Sequence, residues 1–77
     1  MKQQILTLLA DIRPEFEFDN VENYFEEGML DSFDLVTLVA ALEEKYGVKI
    51  DGAEILPENF ANADAIVALL KKSGAVE

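Results

Sequence analysis

Ile5, Leu8, Leu9 and Ile12 recur at helical spacing, with Lys2, Gln3, Gln4 and Asp11 on the other faces, so the chain opens on an amphipathic helix over about residues 3 to 12. Arg13-Pro14 stops it, because the residue before a proline is pushed out of the helical region. From Pro14 to Leu30 neither a helical nor an alternating pattern holds, yet Phe16, Phe18, Val21, Tyr24 and Phe25 fall within the stretch. It reads as a long loop pinned by aromatics. Loops beyond about 12 to 15 residues are uncommon in compact domains and are often functional, which directs attention to the end of this one, Gly28-Met29-Leu30-Asp31-Ser32.

From Ser32 the pattern is helical again. Leu35, Leu38, Val39, Leu42 and Tyr46 form one stripe, and Gly47 supplies a residue able to turn left-handed and end the helix. Val48-Lys49-Ile50 is β-branched but too short for a sheet with no partner strand, so it is an extended connector with apolar anchors. Pro57-Glu58-Asn59-Phe60 suits one helical turn, with proline first and Phe60 plugging the core. Asn62 is an N-cap for Ala63 to Lys72, where Ile66, Leu69 and Leu70 face inward and Lys71-Lys72 complement the negative end of the helix dipole. The pattern predicts an all-α fold of three longer helices and one short one, in a single domain spanning residues 1–77.

Composition narrows what such a fold can do. At 77 residues the core only just outweighs chain entropy, and the 51% of hydrophobic residues is too high for a disordered polyelectrolyte. Cysteine and histidine are both absent, which removes disulfides, thiolate metal sites, the usual general base near neutral pH and the commonest zinc ligand. An enzyme is therefore the weakest reading, since carboxylates alone complete no nucleophilic pair. Sixteen acids against six bases leave a net charge of −10, and between Pro14 and Glu44 there are ten acids and no base. Such a field repels nucleic acid and favours proteins with basic surfaces. No apolar run reaches the roughly 18 residues of a transmembrane helix, and Met1-Lys2-Gln3-Gln4 does not lead into a secretory core, so a cytoplasmic, non-inserted monomer is expected. The acids lack the alternating spacing of a calcium-binding loop.

The chemistry concentrates at Asp31-Ser32-Phe33-Asp34, where the long loop enters the second helix. In the plainest reading Asp31 or Ser32 caps the helix and Asp34 sits in its first turn, favoured there by the dipole. One cap needs only one side chain, however, and if Asp31 takes it the Ser32 hydroxyl is left exposed. Phe33 lies off the Leu35, Leu38, Leu42 stripe, and an exposed aromatic beside a free hydroxyl marks a docking surface.

In these features the chain resembles the acyl and peptidyl carrier proteins. The likeness runs over nearly the whole sequence: the size, the acidity, the long first loop, Asp31-Ser32-Phe33 opening the second helix, the Leu38 to Tyr46 stretch followed by Gly47-Val48-Lys49-Ile50, and the Pro57-Glu58-Asn59-Phe60 turn before the last helix. The resemblance implies a four-helix bundle whose Ser32 carries 4'-phosphopantetheine, installed from coenzyme A by a phosphopantetheinyl transferase with transient magnesium. The terminal thiol of that arm holds an acyl or aminoacyl group as a thioester, so the sulfur comes from the cofactor and the catalysis belongs to partners. It further implies that Asp31 is the carboxylate offered to the magnesium and the loading enzyme, and that Phe33, Val36 and Ala40 lie on the face presented to partners. Asp34 and Glu43 would flank that face with negative charge, unless they are merely solvated surface. Val36 is equally suited to the boundary of the core.

Departures from the fatty-acid carriers refine the expectation. Those usually have leucine after the serine and more acids where this chain has Thr37, Ala40 and Ala41. The Glu27-Gly28-Met29-Leu30-Asp31-Ser32-Phe33 lead-in is similar to that of D-alanyl carriers and of stand-alone carriers served by adenylating ligases. A specialised aminoacyl or acyl carrier is expected, with D-alanyl transfer as one candidate and peptide or polyketide assembly as another, and with an adenylating ligase and a downstream transferase or synthase as partners. The alternative is an acidic helical interaction module, with no covalent cofactor, in which Ser32 is only a cap.

Overall fold

A computed structural model describes residues 1–76; Glu77, the last position of the expected domain, lies outside the described residues. The first apolar stripe forms α1 (Lys2–Ile12), with Ile5 and Leu9 fully buried and Leu8 and Ile12 half-buried. It ends where Pro14 requires, since Arg13 leaves the helical region at ψ 80° while its amide still donates to Leu9 O at 2.9 Å. The second stripe forms α2 (Ser32–Tyr46), burying Leu35, Leu38, Val39 and Leu42 and ending at Gly47 with φ 64° and ψ 31°. That left-handed turn is the one glycine adopts without strain.

Asn62 caps α3 (Ala63–Lys72), its Oδ1 accepting from Ala65 N at 2.8 Å, and Ile66, Leu69 and Leu70 are buried along its inner face. Helix α1 packs against both α2 and α3. Among the described residues there is no strand. Between α2 and α3 lie two 3₁₀ turns, Gly52–Glu54 and Pro57–Phe60. The expected short helix is thus a 3₁₀ turn: Pro57 has no amide to donate, and four residues leave no room for a run of i to i−4 bonds. Phe60 plugs the core as expected, and the Gly52–Glu54 turn had no periodic signal to announce it.

Residues 13–31 form the long loop, which is fastened by its aromatics. Tyr24 is fully buried, its hydroxyl donating to Phe18 O at 3.0 Å and its ring meeting Phe18 edge-on at 5.0 Å. Tyr24 N donates to Ala61 O at 2.7 Å and Asn62 Nδ2 to Glu22 O at 2.9 Å, so the loop is stitched to the start of α3. Gly28, at φ 73°, then reverses the chain so that Met29 and Leu30 enter the core immediately before α2.

Two outcomes test this packing. Leu38→Ala or Leu42→Ala, each emptying a fully buried site, is expected to destabilise the fold by about 2 to 5 kcal/mol in chemical denaturation. Burial, with the Asp19 and Asp64 carboxylates adding and the Ala63 amide opposing, pushes the Tyr24 phenol from 10.0 up to about 12. The folded-state value lies above the unfolded one, so the neutral phenol stabilises the fold fully below pH 10 and this contribution disappears as pH rises through about 12. Tyr24→Phe is expected to be less stable at neutral pH through loss of one hydrogen bond, yet to show a flatter decline of Tm between pH 9 and 12.

Candidate functional site

The N-terminus of α2 is organised by two carboxylates. Asp31 is the N-cap, with extended backbone at φ −125° and ψ −173°, and its Oδ1 accepts from Asp34 N at 2.9 Å. Asp34 replies from the third helical position, its Oδ2 accepting from Asp31 N at 3.1 Å. This reciprocal capping box satisfies two amides that no residue inside the helix can serve. Asp31 O also accepts from Leu35 N at 3.0 Å, so the first helical turn closes on the same residue.

Because Asp31 takes the cap, Ser32 is left at the first helical position, exposed, with a hydroxyl that has no hydrogen-bond partner among the described residues. The other Asp31 oxygen, Oδ2, is likewise not engaged by any described residue, and the residue is exposed. An unengaged hydroxyl and an unengaged carboxylate oxygen thus belong to consecutive exposed residues at the positive end of the α2 dipole. Buried Met29 and Leu30 on one side and Leu35 on the other hold this segment on the core.

Phe33, Val36 and Ala40 follow at helical spacing along the outer face of α2. Phe33 is 84% exposed and Val36 67%, and Ala40 is exposed as well. Val36 is therefore not a boundary core residue. Thr37, also exposed, turns its hydroxyl back onto Phe33 O at 3.0 Å, and Glu44, one turn beyond Ala40, is exposed too.

The two acids expected to flank that face are engaged elsewhere. Asp34 is 13% exposed at its side chain and its Oδ2 receives Arg13 Nη1 at 3.1 Å in addition to the Asp31 amide. Glu43 is half-buried, and its Oε2 accepts from Ile50 N at 2.9 Å, tying the connector to the end of α2. Glu26 and Glu27 are exposed. Arg13 was legible in the sequence only as a helix stop; its reach across 21 positions to Asp34 has no periodic signature.

The chain matches the phosphopantetheine attachment site family over residues 3–70. It is 35% identical over 69 residues to the D-alanyl carrier protein of Bacillus velezensis, covering 86% of this chain and 87% of that protein. It is 32% identical over 68 residues to the D-alanyl carrier protein of Lactobacillus acidophilus, covering 87% and 86% respectively. To that of Lactococcus lactis subsp. cremoris it is 31% identical over 74 residues, 94% of each chain. No described helix is long and apolar enough to cross a membrane. A helical chain of this architecture, matched along most of its length, belongs to the phosphopantetheine attachment family: it is a carrier protein that holds its cargo as a thioester on covalent 4'-phosphopantetheine, and it is served by partner enzymes rather than being one.

Proposed function

We propose that Ser32 is the attachment residue, and that the cargo is an aminoacyl group, D-alanine being the candidate that the relatives' names supply. The observation that carries the assignment is the capping box: with Asp31 and Asp34 serving the backbone, the Ser32 hydroxyl is exposed and unengaged at the start of α2. In loading, Ser32 Oγ attacks the pantetheine-side phosphorus of coenzyme A. An oxygen–phosphorus bond forms as the bond to adenosine 3',5'-bisphosphate breaks, and the hydroxyl proton passes to a base of the transferase. Asp31 Oδ2, which no described residue engages, would be the oxygen to help hold a magnesium ion, whose chemistry there would be to neutralise phosphate charge during transfer. Once attached, the arm supplies a thiol for thioester exchange, and this chain holds the arm's root at a fixed place and orientation.

The partners in this reading are a phosphopantetheinyl transferase, an adenylating ligase that charges the thiol, and a downstream transferase or synthase. Phe33, Val36 and Ala40 form the surface they share, an uncharged patch beside the arm's root. The architecture is that of a four-helix carrier in which the 3₁₀ turns stand in the place of the short helix. In this reading the carrier domain works as a monomer in the cytoplasm, without inserting in a membrane or binding nucleic acid.

Intact mass after incubation with coenzyme A and a broad-specificity transferase tests the assignment. One phosphopantetheine increment is expected on the parent and none on Ser32→Ala, which should lose at most about 1 kcal/mol of stability because Asp31 and not Ser32 is the cap. A labelled alanine variant would mean that another residue is the acceptor.

Asp31 separates its two roles by substitution. Asp31→Asn keeps a capping oxygen and should stay within a few tenths of a kcal/mol of the parent while loading slowly, whereas Asp31→Ala should also lose about 1 kcal/mol, as followed by denaturation. Docking separates in the same way. Association with a basic partner should slow as salt shortens the screening length from about 10 Å at 0.1 M, while Phe33→Ala should speed dissociation with the salt slope unchanged. Stopped-flow binding reads both, and an on-rate flat with salt or an unaltered off-rate counts against the face.

A further inference from the structure

Arg13 is fixed at every point along its length. Its amide closes the end of α1 on Leu9 O at 2.9 Å, and its guanidinium lies 5.4 Å from the centre of the Phe16 ring. Nε donates to Glu15 Oε2 at 3.1 Å, and Nη1 donates to Asp34 Oδ2, also at 3.1 Å. That same Asp34 oxygen receives the Asp31 amide, so one carboxylate oxygen joins the end of α1 to the cap of α2. At 30% and 13% side-chain exposure the pair is more sheltered than an ordinary surface ion pair, and its charge is correspondingly less screened.

The arrangement matters because of what surrounds it. No Lys or Arg occurs between Pro14 and Glu44, so Arg13 is the cation that reaches the start of α2 from the edge of an entirely acidic stretch. A phosphodiester on Ser32 adds a negative charge between Asp31 and Asp34 in sequence. Without Arg13 three anions would crowd one helical turn, and the helix amides alone would oppose their repulsion. We infer that Arg13 is a positioning and charge-balancing residue of the attachment site: through Asp34 it holds the cap that presents Ser32, and it offsets the anion that Ser32 acquires on loading. This rests on Ser32 as the acceptor.

The distinguishing consequence is a coupling between Arg13 and the modification. An ion pair that only supports the fold contributes equally before and after loading, whereas a charge-balancing one contributes more afterwards. The test measures Tm of the unloaded and loaded forms, and the loading kinetics with coenzyme A and a broad-specificity transferase, for the parent, Arg13→Gln, Arg13→Lys and Lys72→Gln. The last removes the Lys72–Glu54 pair, which joins α3 to the Gly52–Glu54 turn and involves neither Asp31 nor Asp34.

Loading of Arg13→Gln is expected to fall about three- to fivefold in kcat with KM for the carrier little changed, the size of a sheltered ion pair. Its Tm should drop further on loading than the parent's, by on the order of 4 °C at low salt, and high salt should shrink that excess. Arg13→Lys, which keeps the charge, should retain the parent's shift on loading and at least half its rate. Lys72→Gln should lower both forms equally and load at the parent's rate.

Equal losses in the unloaded and loaded forms of Arg13→Gln, with kcat unchanged, would overturn the role of Arg13 and leave the Ser32 assignment standing. Should Arg13→Gln not fold, Arg13→Lys decides, and a shift on loading that departs from the parent's overturns the charge-balancing role. A parent that gains no mass increment, or a Ser32→Ala variant that gains one, removes the premise and the inference with it.

Discussion

The first amides of an α-helix have no acceptor inside the helix, and everything at the working end of this chain depends on how those of α2 are served. Two carboxylates divide them, Asp31 taking the Asp34 amide and Asp34 taking the Asp31 amide. A serine at the cap would have committed its hydroxyl to the same bond. Placing the aspartate there and the serine one position later caps the helix and leaves an unengaged hydroxyl at its positive end. On the proposed assignment of Ser32 the order Asp-Ser serves both needs, since a hydroxyl bound to its own backbone is a poorer nucleophile and a less accessible one.

A free hydroxyl is useful to a partner only if it is found in one place. The long loop would scatter it if the loop were loose, because residues 13–31 contain no helix or strand of their own. Burial of Tyr24, its bonds to Phe18 O and Ala61 O, and the Asn62 bond to Glu22 O replace regular structure with anchors on the rest of the fold. The Tyr24 bonds satisfy the polar groups of a buried ring residue, and no buried side-chain polar atom among the described residues lacks a partner. Met29 and Leu30 then seat the last residues before the cap. Loop, cap and core act as one support, and the pair between Arg13 and Asp34 joins the first helix to it.

What the sequence disclosed and what it withheld divide along the same physical line. The stripes of α1, α2 and α3, the proline stop, the Gly47 and Asn62 caps and the aromatic anchors rest on local periodicity or on a residue's own conformational limits, and all appear where those rules place them. Asp31 and Ser32 were both suitable caps on local grounds, and the choice between them emerges only from the reciprocal bond to Asp34. The reach of Arg13 to Asp34, the turn of Glu43 onto Ile50 N and the clasp of Lys72 and Asn59 on Glu54 were not legible, because each joins a side chain to a position that spacing does not specify. Val36 was ambiguous for a related reason: a β-branched residue next to a buried stripe fits either side, and only the packing of α1 against α2 determines which face is covered.

Those non-local bonds also change what the surface of α2 offers. A chain of net charge −10 would be expected to meet its partners through acids beside the arm, yet Asp34 and Glu43 are occupied by the cap and the connector. What remains along the patch is Phe33, Val36, Thr37 and Ala40, with the exposed acids Asp31 and Glu44 at its two ends and others, such as Glu26 and Glu27, on the loop. Field and contact are therefore borne by different residues. A distributed negative field acts over a Debye length and governs how often a basic partner arrives, while an apolar patch acts only at contact and governs how long it stays. On the proposed docking face, separating the two suits a carrier that works with partner enzymes: the field would draw basic partners, while the modest size of the apolar patch would keep each complex brief enough for the next to form.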